Sequence, residues 1–325
     1  MAMDLTRQAE TMIDLLASGH TEEDDIFHKF HLSQRSNLYV AWLWDGILLW
    51  GNEIRLDKLS YPMEMFNEND YLLLNICHAG RCEVELSPGT YVYMSPGTLN
   101  VSAGPPKSSY CYPGGYYEGI ELCLDLCRLK GHMPEALTDY GLSFKALRRY
   151  TEEGNLMASL TNAGMQEEEK LYRMLREGHS SVYELRFSAL SLICHLIGGD
   201  AKRIDCGISI TKGQRRIITE AEQMMTDNLR KRYTVEELSS HFGISASAFK
   251  KYFSAVYGKP VSQYMREKRM EKAKELLETT DDSIGEIALA SGYEHQGKFG
   301  SVFKKCSGVS PLEYRRLKRK TSEEP

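Results

Sequence analysis

Ser247, Lys250 and Lys251 are spaced so that one helix would carry a hydroxyl and two cations opposite Phe249 and Phe253. Phenylalanines four apart lie on one helical face, so that face turns to a core and the polar three turn outward. Ammonium groups and a hydroxyl are donors suited to base-edge acceptors in a major groove and to phosphate oxygens beside it. More cations follow in Arg266, Lys268, Arg269, Lys272 and Lys274, along a stretch whose Tyr264, Met265, Ala273, Leu276 and Leu277 read as its apolar side. The chemistry available here is non-covalent recognition of an anionic polymer. An enzyme would need a nucleophile beside a base, or clustered metal ligands, and the chain offers no convincing set of either.

The elements that must hold these side chains occur twice. Thr234 with Glu237, then Leu238, Ser239 and Gly243, is repeated as Ser283 with Glu286, then Ile287, Ala288 and Gly292. Each copy continues with two phenylalanines four apart (Phe249 and Phe253; Phe299 and Phe303), a Gly (Gly258; Gly308), a Pro (Pro260; Pro311) and a Tyr (Tyr264; Tyr314). The offset is 49 residues at Glu237/Glu286 and 50 at Tyr264/Tyr314. Thr or Ser three residues before Glu is a capping box, which satisfies orphan N–H groups at a helix start. Gly243 and Gly292 fall where a helix ends in a positive-φ residue. Each copy therefore reads as two helices around a tight turn, a helix-turn-helix. Residues 261–278 read as one long helix between the copies, stiff enough to set two readers on successive major grooves.

Charge agrees with this division. From Ser209 onward there are 22 Lys and Arg against 16 Asp and Glu, a net of +6, whereas the remainder nets −11; the whole chain is −5. A basic end on an acidic body suits nucleic-acid binding by that end.

The stretch from Gly292-Tyr293 through Phe299-Gly300-Ser301-Val302-Phe303-Lys304-Lys305, then Gly308-Val309-Ser310-Pro311 and Tyr314-Arg315, resembles the signature of AraC/XylS-family transcription regulators. Arg269, Ala273 and Leu276-Leu277 match the linker-helix pattern of that family, and the resemblance spans 214–316. It implies base contacts at Ser247, Lys250 and Lys251 in the first unit and around Gln296, Gly297, Gly300 and Ser301 in the second. Gly297 and Gly300 depart from the usual pattern, because neither has a side chain to read a base. The second unit is therefore expected to contribute backbone and phosphate contacts, with Gln296 and Lys298 as its reading side chains. Arg269 is included among the DNA-binding candidates. The resemblance further implies an activator on promoter DNA, working with RNA polymerase, dimeric, and controlled by a small-molecule effector in an N-terminal cupin-like β-barrel. Residues 1–10, with Asp4 and Glu10 and no apolar core, do not read as a signal peptide, so a cytoplasmic protein is expected.

Seven runs at 38–45, 47–55, 71–78, 81–86, 90–94, 99–103 and 116–125 are rich in aromatic and β-branched residues and are separated by turn residues such as Asp45-Gly46 and Pro96-Gly97. They predict a β-sandwich or small barrel. Helical periodicity marks 5–17, and again 134–198 through Leu142, Ala146 and Leu147, then Leu171, Met174 and Leu175, then Leu185, Leu190, Ile193, Leu196 and Ile197, stopped at Gly198-Gly199. The wide stripe of that last helix needs a partner, either the barrel or a second subunit. The expected class is thus α+β: a sensing barrel over 1–133, a helical dimerisation and linker region over 134–208, and a double helix-turn-helix domain over 209–325.

Trp42 with Trp44, and Tyr91 with Tyr93, lie two apart and so are expected on single strand faces as aromatic walls for an effector, or as plain core. No cofactor or metal is expected: the strand region holds His78 with no second His until His132, and His28 and His31 precede it in an exposed helix or loop. Cys77 and Cys82 flank Ala79-Gly80, read as a two-residue hairpin loop that would place them opposite each other. With Cys123 and Cys127 they could form a thiolate or redox site, or be inert core. No run reaches the roughly 18 apolar residues of a membrane span. Two rivals stay open: a ligand-independent regulator whose barrel binds another protein, and an enzyme or repair protein targeted by this DNA-binding unit.

Overall fold

Near-continuous apolar runs build the central strands of the first unit, buried on both faces, and 3.6-residue periodicity builds the helices of the second. The computed structural model describes residues 27–60, 70–104, 109–152, 156–178, 180–197, 202–204 and 207–323; the helix expected over 5–17 and the Gly198-Gly199 stop lie outside these. Contacts divide the chain into Met1–Ser209 and Ile210–Pro325.

In the first unit the strands are β1 (Phe27–Ser33), β2 (Ser36–Trp44), β3 (Ile47–Ile54), β4 (Lys58–Ser60), β5 (Tyr71–Gly80), β6 (Glu83–Ser87), β7 (Thr90–Tyr93), β8 (Thr98–Ala103), β9 (Ser109–Cys111), β10 (Tyr117–Asp125), β11 (Leu156–Ser159) and β12 (Lys202–Arg203). Eight of them form an antiparallel sheet in the order β1-β2-β3-β10-β5-β8-β11-β12. β4 pairs with β9, and β6 with β7. All seven strands read from the sequence are present. Among the described residues the ladder does not return from β12 to β1, and no closed barrel is found beside the two smaller strand pairs.

Strand alternation gives the large sheet two apolar faces. One carries Tyr39, Ala41, Leu43, Ile47, Leu49, Leu74, Ile120 and Leu122, packed with residues of the helices α1 (Leu126–Leu129), α2 (Glu135–Asp139), α3 (Phe144–Glu152), α4 (Asn162–Glu177) and α5 (Val182–Ile197). Leu185, Ala189, Leu192, Ile193 and Leu196 of α5 are buried there, while Tyr183 and Phe187 stand 63% and 65% exposed on its other side. The opposite sheet face, called inner below, gathers Phe30, Leu38, Val40, Trp42, Leu48, Trp50, Tyr71, Leu73 and Cys123.

Three sequence expectations fail for identifiable reasons. Ala79 and Gly80 are not a hairpin loop: they end β5, opposite Glu118 and Tyr117 of β10. β6 pairs with β7, so Cys77 and Cys82 are not cross-strand partners; both lie in a further apolar cluster with Ile54, Val84 and Tyr117. Second, His28 and His31 lie on β1, and His31 Nδ1 meets Asn37 Oδ1 at 2.8 Å. Phe27 and Phe30, three apart on β1, pack on opposite faces of the sheet, so no apolar alternation marks this strand in the sequence. Third, Trp42 and Trp44 do not share a face. Trp42 pairs with Leu48 and Trp44 with Ile47, a bulge that uses two residues of β2 against one of β3. Trp42 therefore joins Trp50 on the inner face, and Trp44 packs against the helix-covered core.

The second unit is helical: α6 (Lys212–Asp227), α7 (Val235–His241), α8 (Ala246–Tyr257), α9 (Val261–Thr279), α10 (Ile284–Ala290), α11 (Gln296–Ser307) and α12 (Pro311–Glu323). Both expected capping boxes form, with Thr234 and Ser283 each accepting from the N–H of their Glu while that carboxylate accepts from the cap N–H at 2.8 Å. These bonds hold the Glu237 and Glu286 carboxyls below their ordinary range, through the Thr234 backbone N–H at Glu237 and the Ser283 side chain at Glu286. Two boxes were not anticipated: Thr211 with Gln214 at α6 and Ser310 with Glu313 at α12.

Candidate nucleic-acid interface

The second unit repeats at the level of ring geometry. Phe253 meets Tyr264 edge-on with centroids 5.4 Å apart and planes at 80°; Phe303 meets Tyr314 at 5.4 Å and 79°. Phe249, Phe253, Phe299 and Phe303 are fully buried. α9 belongs to both copies. Its Tyr264 closes the first onto α6, and its Glu278 accepts from Tyr314 Oη of α12 at 2.6 Å. At about 1.5 Å per residue, its 19 residues make a rod of roughly 28 Å.

Burial of the phenylalanines fixes which sides of α8 and α11 face water. On α8, Ser247, Lys250 and Lys251 are all exposed, and Ser245 caps the helix by accepting from the Ala248 N–H at 3.1 Å. Ser247 Oγ lies 3.0 Å from Ser245 Oγ, which ties it to the helix start. On α11, Gln296, Gly297, Lys298 and Ser301 are exposed. Ser301 Oγ donates to the Gly297 carbonyl at 3.0 Å, so its proton is committed to its own helix. α11 begins at His295 without a side-chain cap, leaving first-turn N–H groups directed outward.

The candidate cations of α9 separate into three groups. Lys268 and Lys272 form ion pairs with Glu271 and Glu275 three residues on, as a solvated helix face does. Arg266 and Lys274 have no carboxylate within ion-pair distance among the described residues. Arg269 is different: its Nε donates to the Leu229 carbonyl at 3.2 Å, and burial, with Arg232 nearby, pushes its guanidinium below the ordinary range. Gly292, at φ +80°, lies so close that an added Cβ would sit 2.1 Å from Leu229 O and 2.8 Å from Arg269 Nε. The linker-helix arginine thus joins the turn after α6 to the turn of the second copy, and part of its side chain serves the fold. That turn also carries Arg230, Lys231 and Arg232, all exposed. Three consecutive cations were a visible sequence signal that the candidate set passed over.

In the first unit, the proposed Trp42/Trp44 wall is split, with Trp44 on the helix side and Trp42 on the inner face, whereas Tyr91 and Tyr93 share one face of β7, where Tyr93 Oη donates to Glu83 Oε2 at 2.8 Å. The thiols of Cys77, Cys82 and Cys123 are buried, and burial pushes Cys77 up to about 12 and the other two well above their ordinary value. Protonated thiols of this kind are poor nucleophiles and poor metal ligands. Cys127 is exposed, whereas Cys123 is buried. Among the described residues no group of three His, Cys, Asp or Glu could hold a metal ion, and no helix is long and apolar enough to cross a membrane.

A family model described as a helix-turn-helix domain matches residues 238–317. The chain is 26% identical over 247 residues to the uncharacterized HTH-type transcriptional regulator YisR of Bacillus subtilis (strain 168), covering 70% of this chain and 85% of that protein. It is 30% identical over 105 residues to the HTH-type transcriptional activator AarP of Providencia stuartii, covering 32% and 78%. It is 32% identical over 99 residues to the arabinose operon regulatory protein of Escherichia coli (strain K12), covering 30% of this chain and 34% of that protein.

Proposed function

Because this chain belongs to the AraC/XylS family of transcription regulators, we propose that it reads promoter DNA with two unequal helix-turn-helix units and answers to a small-molecule effector. The observation that carries the reading is the duplicated unit with an exposed donor face on each second helix, Ser247, Lys250 and Lys251 against Gln296 and Lys298. α8 supplies the base contacts. α11 supplies phosphate contacts through the N–H groups of its uncapped first turn and through Lys298, since an open helix start attracts anions. Arg230, Lys231 and Arg232 add phosphate contacts at the turn before α7.

The sheet-rich unit acts as a cupin-like sensor whose inner face receives the effector. Exposed Tyr183 and Phe187 on α5 suit a homodimer contact, an apolar patch of the kind that marks interfaces. The protein acts in the cytoplasm as an activator that works with RNA polymerase, and it is not an enzyme. Selecting genomic fragments bound by the purified full-length chain, in competition with bulk DNA, tests the reading. Recovery of a shared motif supports it, and recovery of random fragments removes it.

A further inference from the structure

Strand register places one carboxylate at the centre of the inner face. Val40 pairs with Trp50, Trp50 with Glu121, Glu121 with Asn75, and Asn75 with Asn100, a single lateral row across β2, β3, β10, β5 and β8. The next row is Trp42, Leu48, Cys123, Leu73 and Ser102, almost wholly apolar. Side chains one strand apart in such a row are about 5 Å apart at Cβ, so Glu121 lies between the Trp50 indole and the Asn75 amide. Trp50, Asn75, Asn100, Leu73 and Cys123 are each at most 8% exposed, yet Glu121 keeps an accessible surface.

Among the described residues Glu121 makes no hydrogen bond or ion pair, unlike its strand neighbour Glu118, which Arg55 engages at 2.7 Å. Asn75 Oδ1 is already taken by Tyr117 Oη at 2.5 Å. On the same face the Trp42 indole N–H is buried without a hydrogen-bond partner. A carboxylate that keeps an accessible surface yet has no partner, set in an apolar wall, is open to a ligand that pairs with it, and the buried Trp42 N–H beside it is costly to leave unmet. Neither strengthens the sheet, whose ladder bonds are complete around them.

We propose that Glu121 is the specificity-determining anchor of the effector site, accepting the ammonium group of a primary amine whose apolar body lies along Trp50, Leu73 and Trp42. The assignment rests on the reading of the inner face as the effector site. A carboxylate beside an indole face suits a cation, which gains from both the charge and the ring quadrupole. The Asn75 carbonyl oxygen beside it has a second lone pair beyond the one Tyr117 Oη takes, and accepts one of the remaining ammonium protons. An anionic effector would meet Glu121 head-on, and a neutral alcohol would gain one hydrogen bond without the charge.

The test uses the full-length chain and three amines, 2-phenylethylamine, tyramine and hexylamine, each with its alcohol and its carboxylate analogue. Binding is read by thermal shift and by the fluorescence of Trp42, Trp44 and Trp50. At least one amine should bind, its two analogues should bind at least tenfold more weakly, and Glu121→Gln should weaken the amine at least tenfold. Trp50→Phe, which keeps an aromatic wall, should weaken it several-fold and gives a reading should Glu121→Gln fail to fold. Silence of all three amines, preference for an analogue, or unchanged affinity in Glu121→Gln overturns the proposal. Occupancy of a selected operator is measured in the same samples. Amine binding that leaves occupancy unchanged keeps this site and removes effector control, whereas absent amine binding with specific operator binding removes this site and leaves the reading of DNA standing.

Discussion

Tyr264 donates its hydroxyl to Glu222 Oε1 at 2.7 Å, reaching from the long shared helix back to the first helix of the second unit. Tyr314 does the same one copy later, to Glu278. A duplication retained in its tertiary hydrogen bonds means that each reader helix is held by the same three-sided frame. Rigidity of that frame is what lets two short helices present donors in fixed register.

The frame's apolar pin should matter more than its polar latch. Phe253→Ala is expected to cost about 3–5 kcal/mol and Tyr264→Phe about 1 kcal/mol. Urea titration followed by far-ultraviolet circular dichroism checks this order, and equal costs would reject it.

Gly292→Ala combines a positive-φ position with a Cβ that would sit 2.1 Å from the Leu229 carbonyl. A loss of about 2 kcal/mol or more is expected, because backbone has to move. Gly297→Ala, with open space around its Cβ position, should instead be neutral or stabilising by about 1 kcal/mol. The comparison of the two in thermal melts isolates strain from helix propensity.

Lys251→Ala should relax sequence preference, losing more affinity on the operator than on scrambled DNA. Ser301→Ala should change little on either, since that hydroxyl already bonds its own helix. Lys298→Ala should weaken binding to both DNAs alike and lower the salt dependence by about one ion. Competitive gel shifts at several salt concentrations distinguish the three.

Burial pushes the Glu121 carboxyl up from 4.5 to about 7. Between those values the native chain holds its proton more tightly than the unfolded chain, so stability falls as pH rises through the window. The loss is bounded by about 3 kcal/mol. Glu121→Gln should flatten the pH dependence of the first unit between pH 5 and 8, read by its tryptophan fluorescence in urea. An unchanged slope would place the titration elsewhere.

The second unit was legible because its signals are local. A capping box, a Gly stop and Phe pairs four apart each act within one turn, and the duplication stated them twice. Sheet partners are set by contacts distant in sequence, which is why seven strands could be read but their order in the ladder could not. One bulge between Trp42 and Trp44 put Trp44 on the opposite face, a one-residue event that alternation cannot reveal. Arg269 was read as a DNA contact from its type, and only the fold shows its bond to Leu229. Glu121 drew no notice in the sequence, since its isolation depends on what five strands place beside it.

Hydroxyl-radical footprinting of the full-length chain on a selected operator tests the central claim most directly. Two protected patches about one helical turn apart on one face of the duplex are expected, with Lys251→Ala erasing the patch read by α8 and Lys298→Ala only thinning the other. Uniform protection, or a pattern that survives scrambling of the operator, would contradict the account.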